Sequence, residues 1–475
     1  MTLEERISAW IDAHEDELLR DIARLDIARL VAVPSVKGEA APGAPFGTET
    51  RRALDGAVAL CREYGFETAI YGGAIATADY NSKPAALDIL GHLDVVAPGD
   101  GWDSDPYTLT RRGDGCAYGR GVDDDKGPVV MALYAMRCLR ELGIELRNGC
   151  RLIMGTDEES GSGDLPYYYS EHASAPNTFT PDTGFPVYNT EKGRYRPAIR
   201  RTWPASAESQ PRLVSASGGI RINVVPGEAG ALVAGLDAPG VMRLGAAKAD
   251  ECGVELFCED TPEGCRVLVR GRQSHAAEPW DGVNAVTALW AVIASLPLCG
   301  AEYETVCALA RLFPHGDWRG AGCGIAQADG LSGELTISAN LFELANGAAQ
   351  VQFDSRVPLC ATEENCRSVF EKELSAAGFK VEGEMHPGHH TSGEGEFVRT
   401  LLECYEHYTG ERGECLSTGG GTYVHDIPGG VGFGAFMPGF DTRLHGANER
   451  IRVRDALTAS KIFALAIVKI CNKED

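Results

Sequence analysis

The chain lacks the sequence features of a membrane or secreted protein. It contains no apolar run of the roughly 18 residues that a membrane-spanning helix needs. Residues 1–30 are rich in charge and have no continuous apolar segment, so a signal peptide is not expected. The 15 cysteines include no CxxC pair, and their odd number favours reduced thiols over a disulfide framework. These absences predict a cytoplasmic protein.

Basic residues are also scarce. The sequence has 44 Lys and Arg against 68 Asp and Glu, which gives a formal net charge of −24. A polyanion of this size is repelled by nucleic acid and by anionic membranes, so neither is expected as a partner. Most of the acidity is interpreted as a solvated surface, and only a few carboxylates are expected at a functional site.

The pattern of apolar segments predicts an α/β protein with an insertion. A strand over residues 85–90, a helix over 127–142 and a strand over 150–155 follow one another, which is typical of a βαβ unit with parallel strands. At 475 residues, the chain is too long for one core. We expect a discontinuous catalytic domain over residues 1–196 and 397–475, with a mixed, mostly parallel sheet flanked by helices. Residues 197–396 are expected to form an inserted α+β lid, itself in two subdomains.

The candidate site begins at the end of the first of these strands. His92 and Asp94 lie at positions i and i+2, so their side chains share one face of the strand. This arrangement is typical of a metal-binding histidine and the carboxylate that orients it. Other acids and histidines also follow predicted strands or lie in loops, and ligands of parallel sheets bind at the carboxyl ends of strands. The full candidate set is His92, Asp94, Asp124, Glu158, Glu159, Asp182 and His445.

This set of imidazoles and carboxylates suits zinc, with manganese or cobalt as alternatives. Two histidines, a bridging acid and two terminal acids provide enough ligands for a pair of metal ions, as in hydrolytic two-metal sites. In extended backbone, Glu158 and Glu159 would point in opposite directions, so one is expected to bind metal and the other to act as general base. An alternative for residues 123–125 is a solvated acidic turn that caps the following helix.

Taken together, the motifs resemble the zinc exopeptidase family that includes aminoacylases, carboxypeptidase G, succinyl-diaminopimelate desuccinylases and PepV-type dipeptidases. The matching segments are GHLDVV (91–96), GDGW (99–102), YGRG (118–121), DDDKGP (123–128), GTDEES (155–160), PD (181–182), SHA (274–276) with Pro279, Gly282, Asn284 and Ala285, GGGTY (419–423), and His445 with Asn448 and Glu449. The DKGP and GGGTY segments and the long insertion resemble the PepV branch most closely.

The resemblance implies a role for each residue of the site. Asp124 matches the ligand that bridges two metals, whereas Asp123 and Asp125 do not. The other implied ligands are His92 and Asp182 on the first metal and Glu159 and His445 on the second. Glu158 matches the general base, Asp94 the acid that orients His92, and His275 the residue that stabilises the oxyanion.

The implied substrate-binding residues are less completely matched. Asn223 and Arg356 match lid positions that meet the peptide, and Arg356 is expected to grip a terminal carboxylate bidentately. Gly420, Gly421 and Thr422 are expected to offer backbone N–H groups to the same carboxylate. Val357 stands where relatives often have tyrosine.

The sequence therefore predicts a monomeric metallo-dipeptidase that hydrolyses short peptides, with two divalent ions, most simply zinc, in each chain. One alternative is a related amidohydrolase acting on N-acyl amino acids or other small amides. A second alternative, from another class, is a non-enzymatic metal-binding or scaffold protein with the same fold. A histidine cluster at His386, His389 and His390 is either a metal patch or a solvated loop.

Overall fold

The computed structural model describes residues 1–15, 17, 26–204 and 210–473. Within these ranges the chain divides into two compact units. The first unit comprises Met1–Thr190, His390–Ser417 and Gly421–Asp475, and the second comprises Glu191–His389 and Thr418–Gly420. Among the described helices, none combines the length and hydrophobicity required to cross a membrane. All 15 cysteines carry free thiols.

The helices and strands are numbered in chain order. The helices are α1 (Leu3–Ala13), α2 (Asp26–Val31), α3 (Thr48–Glu63), α4 (Lys126–Glu141), α5 (Pro166–Tyr169), α6 (Ala238–Glu251), α7 (Ala285–Ala294), α8 (Ala301–Leu312), α9 (Ser368–Ala376), α10 (Glu396–Thr409) and α11 (Val453–Cys471). The strands are β1 (Glu67–Tyr71), β2 (Ile75–Asp79), β3 (Ala85–His92), β4 (Thr110–Arg111), β5 (Cys116–Tyr118), β6 (Gly149–Gly155), β7 (Asn177–Thr180), β8 (Thr183–Gly184), β9 (Val187–Glu191), β10 (Gly193–Tyr195), β11 (Ala198–Thr202), β12 (Arg212–Gly218), β13 (Val224–Val225), β14 (Glu228–Ala234), β15 (Glu255–Thr261), β16 (Gly264–Arg270), β17 (Ser274–His275), β18 (Ala328–Asp329), β19 (Gly333–Glu334), β20 (Thr336–Ala345), β21 (Ala348–Val357), β22 (Lys380–Glu382), β23 (Met385–His386), β24 (His389–His390), β25 (Cys415–Thr418), β26 (Val431–Gly432), β27 (Ala435–Phe436) and β28 (Arg450–Arg452).

The first unit is built on a mixed sheet with strand order β1-β2-β6-β3-β7-β26-β9. Its central strands β6, β3, β7 and β26 pair in parallel, whereas β1, β2 and β9 pair antiparallel towards the edges. In this register His92 lies opposite Gly155, so β3 and β6 end side by side. The loops that follow β3, β6 and β7 therefore start from the same edge of the sheet.

Helices α4 and α11 bury the parallel centre of this sheet. Both helices are apolar along most of their length, which indicates burial on more than one side. On α11, the ring of Phe463 stacks on Phe179 of β7 at 5.5 Å between centroids. This packing makes the strand ends a rigid base for the loops that follow them.

The second unit has its own sheet and its own hydrophobic core. Its strands follow the order β15-β16-β14-β12-β20-β21-β10-β23, with β11 bridging β21 and β22. Trp290 of α7 is fully buried against this sheet, and its ring meets Phe342 edge-on at 5.3 Å. Asn284 caps α7 because its side-chain oxygen accepts the N–H groups of Val286 and Thr287. The unit is α+β, and the predicted mixed α/β architecture of the chain is confirmed.

One buried carboxylate in the sheet leads to a stability prediction. Asp88 of β3 is fully buried; one oxygen accepts the N–H of Ala175 at 2.7 Å and the other has no hydrogen-bond partner in the described chain. Burial raises the pKa of Asp88 from 3.8 to about 6. Because the folded pKa exceeds the unfolded value, the stabilising contribution of the protonated form is complete below pH 3.8 and is lost as the pH rises through about 6.

Asp88→Asn should remove this pH dependence. Between pH 4 and pH 7, the wild-type free energy of unfolding should fall by about 2 kcal/mol relative to that of the variant. Urea denaturation of both proteins across this pH range measures the difference. A difference in unfolding free energy between the two proteins that stays constant from pH 4 to pH 7 would contradict the prediction.

Candidate active site

Acids and a histidine lie at the ends of the parallel strands β3, β6 and β7, at one edge of the sheet. His92 ends β3, Glu158 and Glu159 follow β6, and Asp182 follows β7. Asp124 comes from the loop before α4, and His445 comes from the loop before β28. All six residues belong to the first unit.

His92 faces two carboxylates across the site. Its Nε2 atom lies 2.9 Å from Oδ1 of Asp124 and 3.6 Å from Oδ2 of Asp182. Its Nδ1 atom lies 3.0 Å from the backbone oxygen of Asp94 and 3.4 Å from Oδ1 of that residue. Asp94 is therefore placed behind the imidazole, on the side away from Asp124.

Asp124 lies between the two histidines. While Oδ1 contacts His92, Oδ2 lies 2.9 Å from Nε2 of His445. The same His445 nitrogen is 3.2 Å from Oε2 of Glu159. One carboxylate thus offers an oxygen to each half of the site, which is the geometry of a bridging ligand.

The neighbouring acids Asp123 and Asp125 are buried rather than solvated. Asp125 precedes α4 but makes no side-chain capping bond, and its Oδ2 instead accepts the backbone N–H of His92 at 3.0 Å. The alternative of a solvated, helix-capping acidic turn is therefore wrong. The ligand atoms of Asp125 also lie within 4.8 Å of those of His92 and Asp182, so Asp125 competes geometrically with Asp124 for the first half of the site. We favour Asp124 because its two oxygens lie 2.9 Å from the Nε2 atoms of two different histidines, whereas one oxygen of Asp125 is engaged by a backbone N–H.

The turn that carries Glu158 and Glu159 differs from the expectation. Residues Glu158–Ser160 form a 3-10 turn, so the assumption of extended backbone is wrong here. Asp94 explains the difference, because its two carboxylate oxygens accept the N–H groups of Glu158 and Glu159 at 3.2 and 3.1 Å. Asp94 consequently orients this turn as well as standing behind His92.

The pKa shifts in the cluster indicate that its carboxylates bring more negative charge together than the two histidines balance. Burial raises the pKa of Glu158 well above its usual value, and the charge of Asp182 adds to this effect. Burial and the charge of Asp124 raise the pKa of Asp182 to about 7. Burial lowers the pKa of His92, but the charge of Asp182 and the proximity of Asp124 outweigh it and raise the pKa well above its usual value. Burial also lowers the pKa of His445, but the hydrogen bonds to Asp124 and Glu159 outweigh it and raise the pKa to about 11, so both imidazoles are drawn towards the cationic form.

These residues fit a pair of divalent cations. A carbonyl oxygen only accepts, so Nδ1 of His92 carries a hydrogen. A cation that displaces the proton from Nε2 would meet a nitrogen lone pair directed at carboxylate oxygens. Nε2 is buried and makes no hydrogen bond of acceptable geometry within the described chain, and the same holds for Oε1 of Glu159. A cation in each half of the site would satisfy these atoms. The donors are nitrogen and oxygen without sulfur, as zinc, manganese and cobalt accept.

Two further residues, Asp164 and Tyr423, hold the backbone that leads into the Glu158–Ser160 turn. Asp164 is buried, and its Oδ2 accepts the N–H groups of Thr156 and Asp157 as well as the hydroxyl of Tyr423. The Tyr423 ring also meets His92 edge-on at 6.2 Å. Asp164 had no signal in the sequence, and Tyr423 stood out only as part of the GGGTY segment.

Removing the Tyr423 hydroxyl should destabilise the protein. Tyr423→Phe leaves the buried Asp164 carboxylate without one donor, which is expected to cost about 1–3 kcal/mol of unfolding free energy. Urea denaturation in the presence of chelator measures this loss without a contribution from bound metal. Tyr169→Phe is the matched control, because the buried Tyr169 hydroxyl has no hydrogen-bond partner in the described chain. Equal losses in the two variants would contradict this role for the hydroxyl.

In the second unit, Asn223 immediately precedes β13, and His275 lies on β17, the strand that pairs with β13. β13 and β17 pair antiparallel with Val224 opposite His275, and the Asn223 carbonyl accepts the N–H of Ala276 at 3.0 Å. The His275 side chain is exposed, and its Nδ1 accepts the N–H of Ala277 at 3.2 Å. In the neutral ring this bond leaves the proton on Nε2, the tautomer that can donate to an oxyanion.

Arg356 and the GGGTY segment already have partners within their own units. The Arg356 guanidinium pairs with Asp354, with Nε 2.8 Å from Oδ1, and Nη1 donates to the carbonyl of Gly419 at 2.9 Å. The N–H of Gly420 donates to the Thr418 hydroxyl at 3.0 Å. The remaining members of the predicted carboxylate grip are Gly421, which is exposed, and Thr422, which precedes the 3-10 turn Tyr423–Asp426. The substrate roles of these residues stay predictions.

Comparison with known proteins agrees with this geometry. Residues 89–469 match the profile of peptidase family M20/M25/M40. The chain is 32% identical over 467 residues to the Bacillus subtilis (strain 168) protein named "Putative dipeptidase YtjP", covering 96% of this chain and 99% of the relative. It is 28% identical to the Beta-Ala-Xaa dipeptidase of Lactobacillus delbrueckii subsp. lactis, covering 97% of this chain and 98% of the relative.

Solved structures share the fold. Human carnosine dipeptidase 1 superposes with a TM-score of 0.61 at 17% identity, over 100% of both chains. The M20 family metallo-carboxypeptidase Sso-CP2 from Sulfolobus solfataricus gives 0.58 at 16% identity, over 94% of this chain and 98% of that one. The resemblance inferred from the motifs is confirmed, and the chain belongs to peptidase family M20/M25/M40 and is a peptide-bond hydrolase.

Proposed function

We propose that this peptidase is a dipeptidase that works with two divalent cations. His92 and Asp182 would hold one cation, Glu159 and His445 the other, and Asp124 would bridge them. The observation that carries the proposal is the position of Asp124, with one oxygen 2.9 Å from each histidine Nε2. Zinc suits this donor set best, and manganese and cobalt are the alternatives.

The bound cations would supply Lewis-acid polarisation of the scissile carbonyl and would acidify the attacking water. Glu158 takes a proton from that water and returns it to the leaving amine, as a general base and then a general acid. Asp94 accepts the backbone N–H of Glu158 and so fixes the backbone from which this carboxylate extends. His275 donates from Nε2 to the developing oxyanion.

The preference for dipeptides rests on recognition of the substrate carboxylate. Arg356, Asn223 and the segment from Gly420 to Thr422 form the proposed grip for this group. Since several of the Arg356 N–H groups are used by Asp354 and Gly419, the remaining ones would contact the substrate. Gripping of this terminal carboxylate would limit the length of the peptide. The names of the two relatives also support dipeptides as substrates.

We further propose that residues 197–396 act as a lid domain, in two subdomains, and that the protein is a cytoplasmic monomer. The separate core of the second unit supports a domain of its own at this position. Gel filtration tests the monomer, and elution at the volume of a dimer would contradict it.

The proposed function is tested by metal analysis together with a substrate panel. Elemental analysis of the purified protein should find two divalent ions per chain. The panel should contain dipeptides, tripeptides, N-acetylated dipeptides and N-acyl amino acids. Hydrolysis of dipeptides with loss of activity in chelator is the expected result. Preferred hydrolysis of N-acyl amino acids would instead identify an amidohydrolase of the same family.

A further inference from the structure

Arg120 and Glu449 form an ion pair that is almost completely buried. The two side chains are 1% and 0% exposed, and Nη1 of Arg120 lies 2.6 Å from Oε2 of Glu449. Neither residue is one of the proposed metal ligands. Buried ion pairs often contribute little net stability, because desolvation offsets their attraction. The other hydrogen bonds of the two side chains therefore indicate what the pair does.

The Glu449 carboxylate holds the loop that carries the bridging ligand. Its Oε1 accepts the backbone N–H groups of Asp123 and Asp124 at 2.8 and 3.2 Å, and its Oε2 accepts the N–H of Gly121 at 3.1 Å. Three N–H groups within four residues, those of Gly121, Asp123 and Asp124, thus fix the backbone of this loop. The position of the Asp124 carboxylate depends on them, because its side chain has only two rotatable bonds.

The Arg120 guanidinium holds the loop that carries His445. Its Nη2 donates to the carbonyl oxygens of His445 and Gly446 at 3.1 and 3.2 Å. His445 itself has a φ of 58°, in the left-handed region that non-glycine residues rarely adopt. Such a conformation persists only where surrounding contacts enforce it, and Arg120 provides them at the carbonyl of this residue.

We infer that Arg120 and Glu449 are positioning residues for the cation held between Asp124, Glu159 and His445. This inference rests on the proposed two-cation function. One end of the pair fixes the backbone of Asp124, the other fixes the backbone of His445, and the ion pair sets the distance between them. His92 and Asp182, by contrast, follow the rigid strands β3 and β7 and receive no hydrogen bond from the pair.

The inference predicts an unequal effect on the two cation sites. Arg120→Lys keeps the charge. It replaces the guanidinium, whose N–H groups contact Glu449 and both carbonyl oxygens at once, with a single ammonium group that cannot reach all three. Affinity for the second Zn²⁺ should fall by about 10- to 100-fold, as is usual when groups that orient metal ligands are removed. Affinity for the first Zn²⁺ should fall less, because the pair holds only one of its proposed ligands, Asp124, whereas it holds both Asp124 and His445 at the second site. A general loss of stability would weaken both sites together.

The experiment is titration of metal-free protein with Zn²⁺ in competition with a chromophoric chelator, with the melting temperature measured in parallel. Glu449→Gln is the second variant, because it keeps an acceptor for the backbone N–H groups while losing the charge, and it should weaken the same site. Arg151→Lys is the control. Arg151 pairs with Asp79 at 2.8 Å in β6 and β2 and makes no contact with a proposed ligand, so both affinities should be unchanged.

Each outcome decides between the inference and the function on which it rests. Wild-type protein that binds two Zn²⁺ together with variants that bind the second one more weakly supports the inference. If the wild-type protein binds two Zn²⁺ and both variants retain both affinities, or lose them equally, the positioning role is overturned alone. If the wild-type protein binds fewer than two Zn²⁺, the proposed function fails and the inference fails with it.

Discussion

Glu158→Gln is expected to lower kcat for dipeptide hydrolysis by about 10²- to 10⁴-fold, the usual contribution of a general base. Glutamine has the size of glutamate but cannot take a proton from the attacking water. The variant should still bind two metal ions, because Glu158 is not one of the proposed ligands. KM should change little, since the substrate carboxylate is bound elsewhere. Steady-state kinetics and elemental analysis of the same preparation measure both properties.

The control for this experiment is Glu171→Gln, which removes one negative charge at an exposed position of the first unit. It should leave both kcat and metal content unchanged. A Glu158→Gln variant with more than a tenth of the wild-type kcat would reject Glu158 as the base. A variant that loses metal would show instead that Glu158 is a ligand and that its pairing with Glu159 has been assigned in the wrong order.

The sequence was most informative where function depends on strand ends. His92 and the acids after β6 and β7 were predicted to share an edge because parallel strands end together, and the register of His92 opposite Gly155 bears out that premise. The argument works because apolar runs locate buried strands, and the residue after a buried strand is fixed by the sheet. His445 has no such strand before it, so the sequence placed it only in a loop, and the family resemblance alone implied its role as a ligand of the second metal.

Residues that act on backbone groups were not predictable in the same way. Glu449 and Asp164 hold the loops through N–H groups of Asp123, Asp124, Thr156 and Asp157. Every residue except proline has an N–H, so the sequence carries no record of which one a distant carboxylate will accept. The 3-10 turn at Glu158 was missed for this reason, since the shape of the turn depends on Asp94, about 60 residues earlier.

The substrate-binding residues show a third limit of the sequence. Arg356 was assigned by its motif to a substrate carboxylate, but a guanidinium has five N–H groups and can serve several acceptors. The structure uses some of them for Asp354 and Gly419. A motif identifies the residue type at a position, whereas the number of donors left for substrate depends on neighbours such as Asp354, whose pairing appears only in the folded chain.

Asp124→Ala is expected to abolish activity and to disturb both cation sites together. Its carboxylate offers one oxygen to the half of the site with His92 and the other to the half with His445, each 2.9 Å from a histidine nitrogen. Removing it takes a ligand from both cations and also removes the negative charge that holds two dications close together. Elemental analysis should find fewer than one divalent ion per chain, where the wild-type protein should hold two.

Asp123→Asn and Asp125→Asn are the matched controls, because both change an adjacent buried acid of the same loop. Asp125 accepts the His92 N–H through one oxygen, an acceptor that asparagine retains, so two ions should remain bound. If Asp125→Asn loses a metal ion while Asp124→Ala keeps both, Asp125 is the ligand and the bridge between the sites does not exist. The Asp124 result thus decides whether the two halves of the site form one binuclear centre or two independent ones.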